Sequence, residues 1–222
     1  MSHALVELRE KLTAMRLYVL VTGDVAKRLP LEAAKLVIAG GADVVQLREK
    51  TMADGEFLVL ARQFRELTAK TGTLFIVNDR AEMARLADAD GVHLGQDDLP
   101  VAEARKILGR GTLIGVSTHA IDQARRAVAD GADYIGVGPV YPTKTKGYEQ
   151  GVGLQYVRQV ASELDVPFVA IGAITLERLP EVMAAGAKAV AVSSAIIAAR
   201  DPKAMARAFK QKLSSAVVGS RL

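Results

Sequence analysis

Gly41-Ala42-Asp43-Val44-Val45-Gln46-Leu47-Arg48-Glu49-Lys50 is the stretch on which the fold turns. Gly41-Ala42-Asp43 ends a helical segment and opens a run, Asp43–Leu47, that is rich in β-branched residues. The run then gives way to charged and amide side chains. The same opening recurs at Asp88-Ala89-Asp90, Gly131-Ala132-Asp133 and Gly186-Ala187-Lys188. Each copy precedes an even-numbered strand when strands are counted from Leu17, which suggests a twofold-repeated unit. Eight short runs read as strands: Leu17–Val21, Asp43–Leu47, Leu74–Val77, Gly91–Leu94, Leu113–Val116, Tyr134–Val137, Pro167–Ile171 and Ala189–Val192. A turn and an Ala-, Leu- and charge-rich segment of helical period follow each one. Runs apolar throughout, rather than alternating, suit parallel strands covered on both faces. Eight strand-helix units close naturally into a (β/α)8 barrel, an α/β fold in one domain spanning 1–222. Residues 1–16 read as an N-terminal helix, 17–200 as the barrel core and 201–222 as a last helix and tail. An open doubly wound sheet usually carries a Gly-rich turn after its first strand, and Thr22-Gly23-Asp24 is not one.

Composition narrows the function classes. The chain has 222 residues, half of them hydrophobic, and no cysteine. A disulfide framework, a thiolate metal site and a cysteine nucleophile are excluded. Lys and Arg number 29 against 25 acids, a formal charge of +4 that is too weak to argue for nucleic acid. Glu7, Arg9, Glu10 and Lys11 interrupt what would be the apolar core of a signal peptide. No stretch approaches the ~18 apolar residues of a membrane span. A cytoplasmic protein with small-molecule partners, neither nucleic acid nor membrane, is expected, and a homo-oligomer is left open.

In such a barrel the active site lies at the strand C-termini. Strand period two puts Gln46, Arg48 and Lys50 on one face and Leu47 on the other. Cations at the top of a pore call for an anionic ligand or for internal carboxylates. Asp79 and Asp98 end adjacent strands, where two carboxylates repel unless a divalent cation relieves them. Mg²⁺ takes one or two carboxylates and shares phosphate oxygens. The competing reading makes Asp79 the cap of a helix from Ala81, and Asp97 or Asp98 the cap of one near Pro100. Ser117 stands where it could donate to the same phosphate. His119 reads as an exposed or capping residue, and His93 as a satisfied histidine within its strand. The longest break, from Pro139 to about Gly153, carries Thr143, Lys144, Thr145 and Lys146 and suits a flap over phosphate, or a solvated loop. Small residues at Gly172-Ala173 and Ser193-Ser194 follow strands seven and eight, the recurrent phosphate site of this architecture.

Six of these strings, Gln46-Leu47-Arg48-Glu49-Lys50, Asn78-Asp79, His93-Leu94-Gly95-Gln96-Asp97-Asp98, Gly115-Val116-Ser117-Thr118-His119, Pro142-Thr143-Lys144-Thr145-Lys146 and Val192-Ser193-Ser194-Ala195-Ile196, together resemble the signature segments of the thiamine-phosphate synthase family. The resemblance runs in order from about Leu17 to Ile196. It implies a transferase that condenses 4-amino-2-methyl-5-(diphosphooxymethyl)pyrimidine with 4-methyl-5-(2-phosphoethyl)thiazole, or its carboxythiazole form, releasing diphosphate. It further implies that Gln46, Arg48, Lys50 and Asn78 line the pyrimidine diphosphate site, that Leu47 and Glu49 of the same string count among the substrate-binding residues, and that Asp79 and Asp98 hold Mg²⁺. Ser117 and Lys146 would contact the diphosphate. Thr143 and Thr145, with Gly172-Ala173 and Ser193-Ser194, would face the thiazole phosphate, and Lys144 between them counts among the substrate-binding residues, although taken alone it reads as a solvated loop lysine. Arg48, Lys50, Ser117 and Lys146 would be the catalytic set. The family usually has a second glycine where this chain has Ala173. A tautomerase-like relative on the same barrel is the alternative, and it would need neither the metal pair nor the diphosphate cations. A phosphosugar isomerase would need a proton-abstracting group at a strand end, for which Glu49 is a poor candidate. A phosphate-ligand sensor would leave the flap and the metal pair without a purpose.

Overall fold

The computed structural model describes residues 3–142 and 151–218. Its eight strands are β1 (Leu17–Val21), β2 (Val44–Leu47), β3 (Leu74–Asn78), β4 (Gly91–Leu94), β5 (Leu113–Thr118), β6 (Tyr134–Val137), β7 (Phe168–Ile171) and β8 (Val190–Val192). They pair in parallel in chain order, and β8 returns to β1, so the sheet is a closed barrel. The described helices are α1 (His3–Ala14), α2 (Pro30–Ala39), α3 (Asp54–Ala69), α4 (Ala81–Leu86), α5 (Val101–Leu108), α6 (Ile121–Ala129), α7 (Gly153–Glu163), α8 (Leu179–Ala184), α9 (Ser194–Ile197) and α10 (Pro202–Val218). This is the (β/α)8 barrel expected from the strand rhythm, with α1 placed before the first strand.

The repeated triplet turns out to be one device used four times. Its first residue leaves the preceding helix in the left-handed region, with φ of 98° at Gly41, 51° at Asp88, 92° at Gly131 and 102° at Gly186. The N–H groups of Gly41 and Ala42 close back on the carbonyls of Ile38 and Val37, and the other three copies repeat both bonds. That pair of bonds is the Schellman helix ending. The third residue then serves the sheet. The Asp43 carboxylate accepts the backbone N–H groups of Arg16 and Leu17 at 2.8 and 2.9 Å. Asp90 accepts that of Phe75 at 2.8 Å, and Asp133 that of Ile114 at 3.0 Å. Each carboxylate also holds a cation from a neighbouring element: Lys210 on Asp43, Arg65 on Asp90, and Arg9 with Arg105 on Asp133. Three odd strands are thereby tied, at their first or second residues, to the helix ends beside them.

Two apolar cores result. The larger lies between strands and helices and takes the outward residues, among them Val19, Val45, Leu47 and Val77. The smaller fills the barrel interior with Tyr18, Val44, Leu74, Ile76, Leu113, Tyr134 and Val169. Leu12 and Met15 of the N-terminal segment join it and floor the barrel at its N-terminal end. The described interior is thus packed from below, and the cavity lies at the C-terminal mouth. No helix among the described residues is long and apolar enough to cross a membrane.

Candidate active site

The mouth is built from the residues at which each strand stops. In β2, Gln46 points inward and is buried, and its Nε2 donates to the Tyr18 hydroxyl at 2.7 Å. Leu47 packs outward in the larger core, as the strand period requires. Arg48 is half-buried beside the mouth, and its N–H donates to the Val21 carbonyl at 2.9 Å. The Glu49 carboxylate accepts the Gly23 N–H; burial pushes its carboxyl up, and that hydrogen bond opposes the shift. Lys50 lies past the strand end, exposed, with Nζ 3.2 Å from Asp79 Oδ2.

Asn78 ends β3 and is buried. Asp79 follows with φ of 63°, while its N–H still donates to the His93 carbonyl at 2.9 Å. Aspartate tolerates the left-handed region better than most residues, and the turn carries its carboxylate toward Lys50 and Asp98. The Asp79 carboxyl is raised above the usual carboxylate range, first by burial and then by Asp98 within hydrogen-bonding reach, with Lys50 pulling the other way. Asp98 accepts the Gly95 N–H at 2.6 Å. The capping alternative fails for both residues. Helix α4 begins after Arg80 and α5 after Pro100, and neither start carries a side-chain cap.

The two carboxylates are therefore held together near one lysine. That donor set is hard oxygen of excess negative charge, which fits Mg²⁺. Among the described residues no cluster of three His, Cys, Asp or Glu could hold a metal by itself. A cation bound here would complete its shell with water and ligand oxygens, as Mg²⁺ does.

Across the mouth, Ser117 on β5 is buried, with Oγ 3.0 Å from His93 Nε2. The His119 ring nitrogen Nδ1 bonds the Gly138 carbonyl, and its backbone N–H donates to Gln123 at 2.8 Å. His119 is thus half-buried and does not cap α6, whose N-cap is Ala120. After β7, Gly172 turns with φ of 113°, and a Cβ there would lie 2.5 Å from Pro139 Cα. Ala173 follows at φ 48° and is exposed. Ser193 follows β8, its Oγ donating to the Leu20 carbonyl at 3.2 Å, and Ser194 opens α9. A cavity of about 380 Å³ joins these pieces: Arg48, Ser117, Gly172, Ala173, Ser193 and Ser194 all line it. A void of about 20 Å³ lies beneath, bordered by Gln46, Asn78, His93 and Ser117. Thr143, Lys144, Thr145 and Lys146 lie outside the described residues.

Two arginines at the mouth were not singled out by sequence reading. Arg178 lines the cavity, donates to the Ala173 carbonyl at 2.9 Å and stacks 4.4 Å from the Tyr141 ring centroid. Arg80 donates to the carbonyls of Lys50 and Met52 at 3.3 and 2.9 Å, and so braces the loop that carries Lys50. Both belong to strand-to-helix loops, and Arg80 directly follows Asp79. Their signal was position alone, because nothing in the local pattern separates a bracing arginine from a solvated one.

The sequence model of the thiamine monophosphate synthase family matches residues 17–196. A thiamine-phosphate synthase of Gloeobacter violaceus is 48% identical over 208 residues, which are 94% of this chain and 60% of that protein. One of Shouchella clausii is 46% identical over 84% of this chain and 90% of its own length. The solved thiamine phosphate pyrophosphorylase of Pyrococcus furiosus superposes with a TM-score of 0.86 at 32% identity, covering 94% of this chain and 98% of that one. A 3-hexulose-6-phosphate synthase, at 21% identity and a TM-score of 0.67, shares the fold. The match covers every strand of the barrel and every described element of the mouth, and the chain therefore belongs to the thiamine monophosphate synthase family of barrel enzymes.

Proposed function

We propose that this chain joins 4-amino-2-methyl-5-(diphosphooxymethyl)pyrimidine to 4-methyl-5-(2-phosphoethyl)thiazole, or its carboxythiazole form, giving thiamine phosphate and diphosphate. The observation that carries the reading is the meeting of Asp79, Asp98 and Lys50 past the ends of β2, β3 and β4, on one side of the barrel mouth, while the small-residue loops at Gly172-Ala173 and Ser193-Ser194 line a cavity with Arg48 and Ser117 on the other. One side suits a metal-bound diphosphate and the other a monophosphate. A protein that binds both ends can align a nucleophile with a leaving group.

The thiazole nitrogen is already nucleophilic, so no general base is required. Its lone pair forms the new bond to the pyrimidine methylene carbon, and the carbon–oxygen bond to diphosphate breaks with its electrons on oxygen. An electron-rich aminopyrimidine supports positive charge at that carbon, which favours a dissociative displacement. Asp79 and Asp98 would hold Mg²⁺, which supplies charge neutralisation for the leaving diphosphate. Arg48 and Lys50 neutralise the same oxygens, with Lys146 assigned to the same task, and Ser117 donates a hydrogen bond to them. Backbone N–H groups at Gly172-Ala173 and the hydroxyls of Ser193 and Ser194 hold the second substrate, and alignment of the two accounts for much of the rate. Thr143 and Thr145 are assigned to the thiazole phosphate.

The test mixes both substrates with Mg²⁺ and follows thiamine phosphate and released diphosphate together. Equal amounts of the two products are expected. Absence of product at saturating substrate overturns the reading.

A further inference from the structure

Five polar side chains cross the barrel interior in an unbroken line. Gln46 Nε2 donates to the Tyr18 hydroxyl at 2.7 Å. The hydroxyls of Tyr18 and Tyr134 are 3.1 Å apart. The Tyr134 hydroxyl is 3.1 Å from His93 Nδ1, and His93 Nε2 is 3.0 Å from Ser117 Oγ. The line begins and ends on residues assigned above to substrate, yet its three middle members have no task in that scheme. Room for it has been cleared. A Cβ on Gly115 would lie 2.1 Å from Tyr134 Cζ and 2.6 Å from His93 Nδ1, and one on Gly136 would lie 3.3 Å from His93 Cε1.

Proton accounting gives the line a direction. Both tyrosines are buried, which keeps their phenols neutral and well above their ordinary proton affinity. Each therefore owns one proton and must place it. Tyr18 already accepts from Gln46, and the acceptor within reach of its own O–H is the Tyr134 oxygen. Tyr134 must then donate to His93 Nδ1. A neutral imidazole that accepts at Nδ1 carries its proton on Nε2, and that proton is directed at Ser117 Oγ. The Ser117 O–H is left to donate into the cavity. At the far end, Gln46 Oε1 is buried and has no hydrogen-bond partner. An unpaired buried acceptor is costly, so this oxygen is set to receive a donor from a ligand. Were Gln46 to accept from Tyr18 instead, every step would reverse, and Ser117 would spend its proton on His93.

We propose that Tyr18, Tyr134 and His93 are positioning residues forming a one-way hydrogen-bond chain, which makes Ser117 a donor to anionic oxygen because Gln46 keeps its carbonyl oxygen for a ligand N–H. The ligand class that satisfies both ends at once carries an exocyclic amine or ring N–H on one side and a phosphate ester on the other. This rests on the function proposed above and names how its pyrimidine substrate is told from analogues lacking the amine.

The test is the tautomer of His93 in the ligand-free protein, read by NMR on protein labelled with ¹⁵N-histidine and assigned by the signal lost in His93→Gln. The unmodified chain is expected to hold one tautomer, with the proton on Nε2. Gln46→Glu is read at alkaline pH, where the introduced carboxyl group is ionised and accepts only. The chain then reverses, and the His93 proton moves to Nδ1 although two tyrosines separate the residues. Tyr134→Phe keeps the ring but cuts the chain, so both tautomers become populated and Gln46→Glu loses its effect in the double variant. A proton found on Nδ1 in the unmodified chain overturns the proposal. So does a tautomer indifferent to Gln46→Glu, or one that survives Tyr134→Phe in a folded protein. No substrate enters this measurement, so its outcome is separate from that of the condensation assay.

Discussion

Asp79 is the residue at which backbone and chemistry meet. Its φ of 63° is unusual for a residue with a side chain, and such departures gather where function over-determines the geometry. Asn shares the tolerance of Asp for this region. Asp79→Asn therefore removes the charge and keeps the turn, which Asp79→Ala would not. Turnover is expected to fall by on the order of 100-fold or more, as when a group that neutralises transition-state charge is lost. The thermal midpoint should hold or rise, because the repulsion with Asp98 is relieved. Steady-state kinetics and a melting curve on one preparation check both halves, and near-normal turnover would remove Asp79 from its assigned role. Lys146→Ala should lower turnover in the same way. Ala173 is a second residue in this region, at φ 48°. An L side chain there costs roughly 1–2 kcal/mol. Glycine would relieve that strain and give back about 0.4–1 kcal/mol through the freer unfolded chain. Ala173→Gly should therefore raise stability by about 1 kcal/mol or less, measurable in urea, whereas a loss would mean that the alanine is not strained.

At the scale of elements, the recurring triplets made a twofold-repeated strand-helix unit legible in the sequence, and the structure explains why. The first position needs a left-handed turn, the second is small, and the third carries a carboxylate for the start of the preceding odd strand. These demands are local, so they leave a local trace in sequence. The fourth copy, ending in Lys188, keeps the helix ending and drops the carboxylate. The mouth was legible to the same degree only where chemistry and strand period coincide. Gln46 inward and Leu47 outward followed from alternation. The helix-cap readings of Asp79 and Asp98, and the capping reading of His119, did not hold, because what decided them was contact across strands. Arg80 and Arg178 were missed for the same reason. The triplet reading makes a quantitative claim. Asp43 satisfies two backbone N–H groups and pairs with Lys210, and Asp43→Ala orphans all three. Leaving a buried donor unmet costs ~1–3 kcal/mol, so a loss of about 2–4 kcal/mol is expected in a denaturant titration. Asp43→Asn keeps one acceptor oxygen and should lose less.

For the molecule as a whole, the barrel interior is graded from bottom to top. Leu12 and Met15 close the N-terminal end, and an apolar layer with Val44, Leu74 and Leu113 lies above them. The Gln46–Tyr18–Tyr134–His93–Ser117 line crosses the middle, and the cavity opens over it. Stability is concentrated below that line and chemistry above it, which suits an architecture whose strand C-termini carry function and whose opposite ends carry fold. The grading separates the effects of substitution. Leu12 is 2% exposed and packs in the inner core, on the far side of the polar line from the cavity. Leu12→Ala should leave a cavity that the closed barrel cannot collapse into, at a cost of about 2–4 kcal/mol. The turnover of the folded fraction should stay within about twofold, because the mouth is braced by its own bonds at Asp79, Arg80 and Ser193. Gly115→Ala is the counterpart in the polar layer. Its new methyl would drive Tyr134 and His93 aside, so a loss of about 1–3 kcal/mol from overpacking should come with a fall in activity per folded molecule. Measuring stability and turnover together in both variants decides the matter. If Leu12→Ala depresses the activity of the folded fraction as much as Gly115→Ala does, floor and mouth are mechanically one unit, and the grading is only geometric.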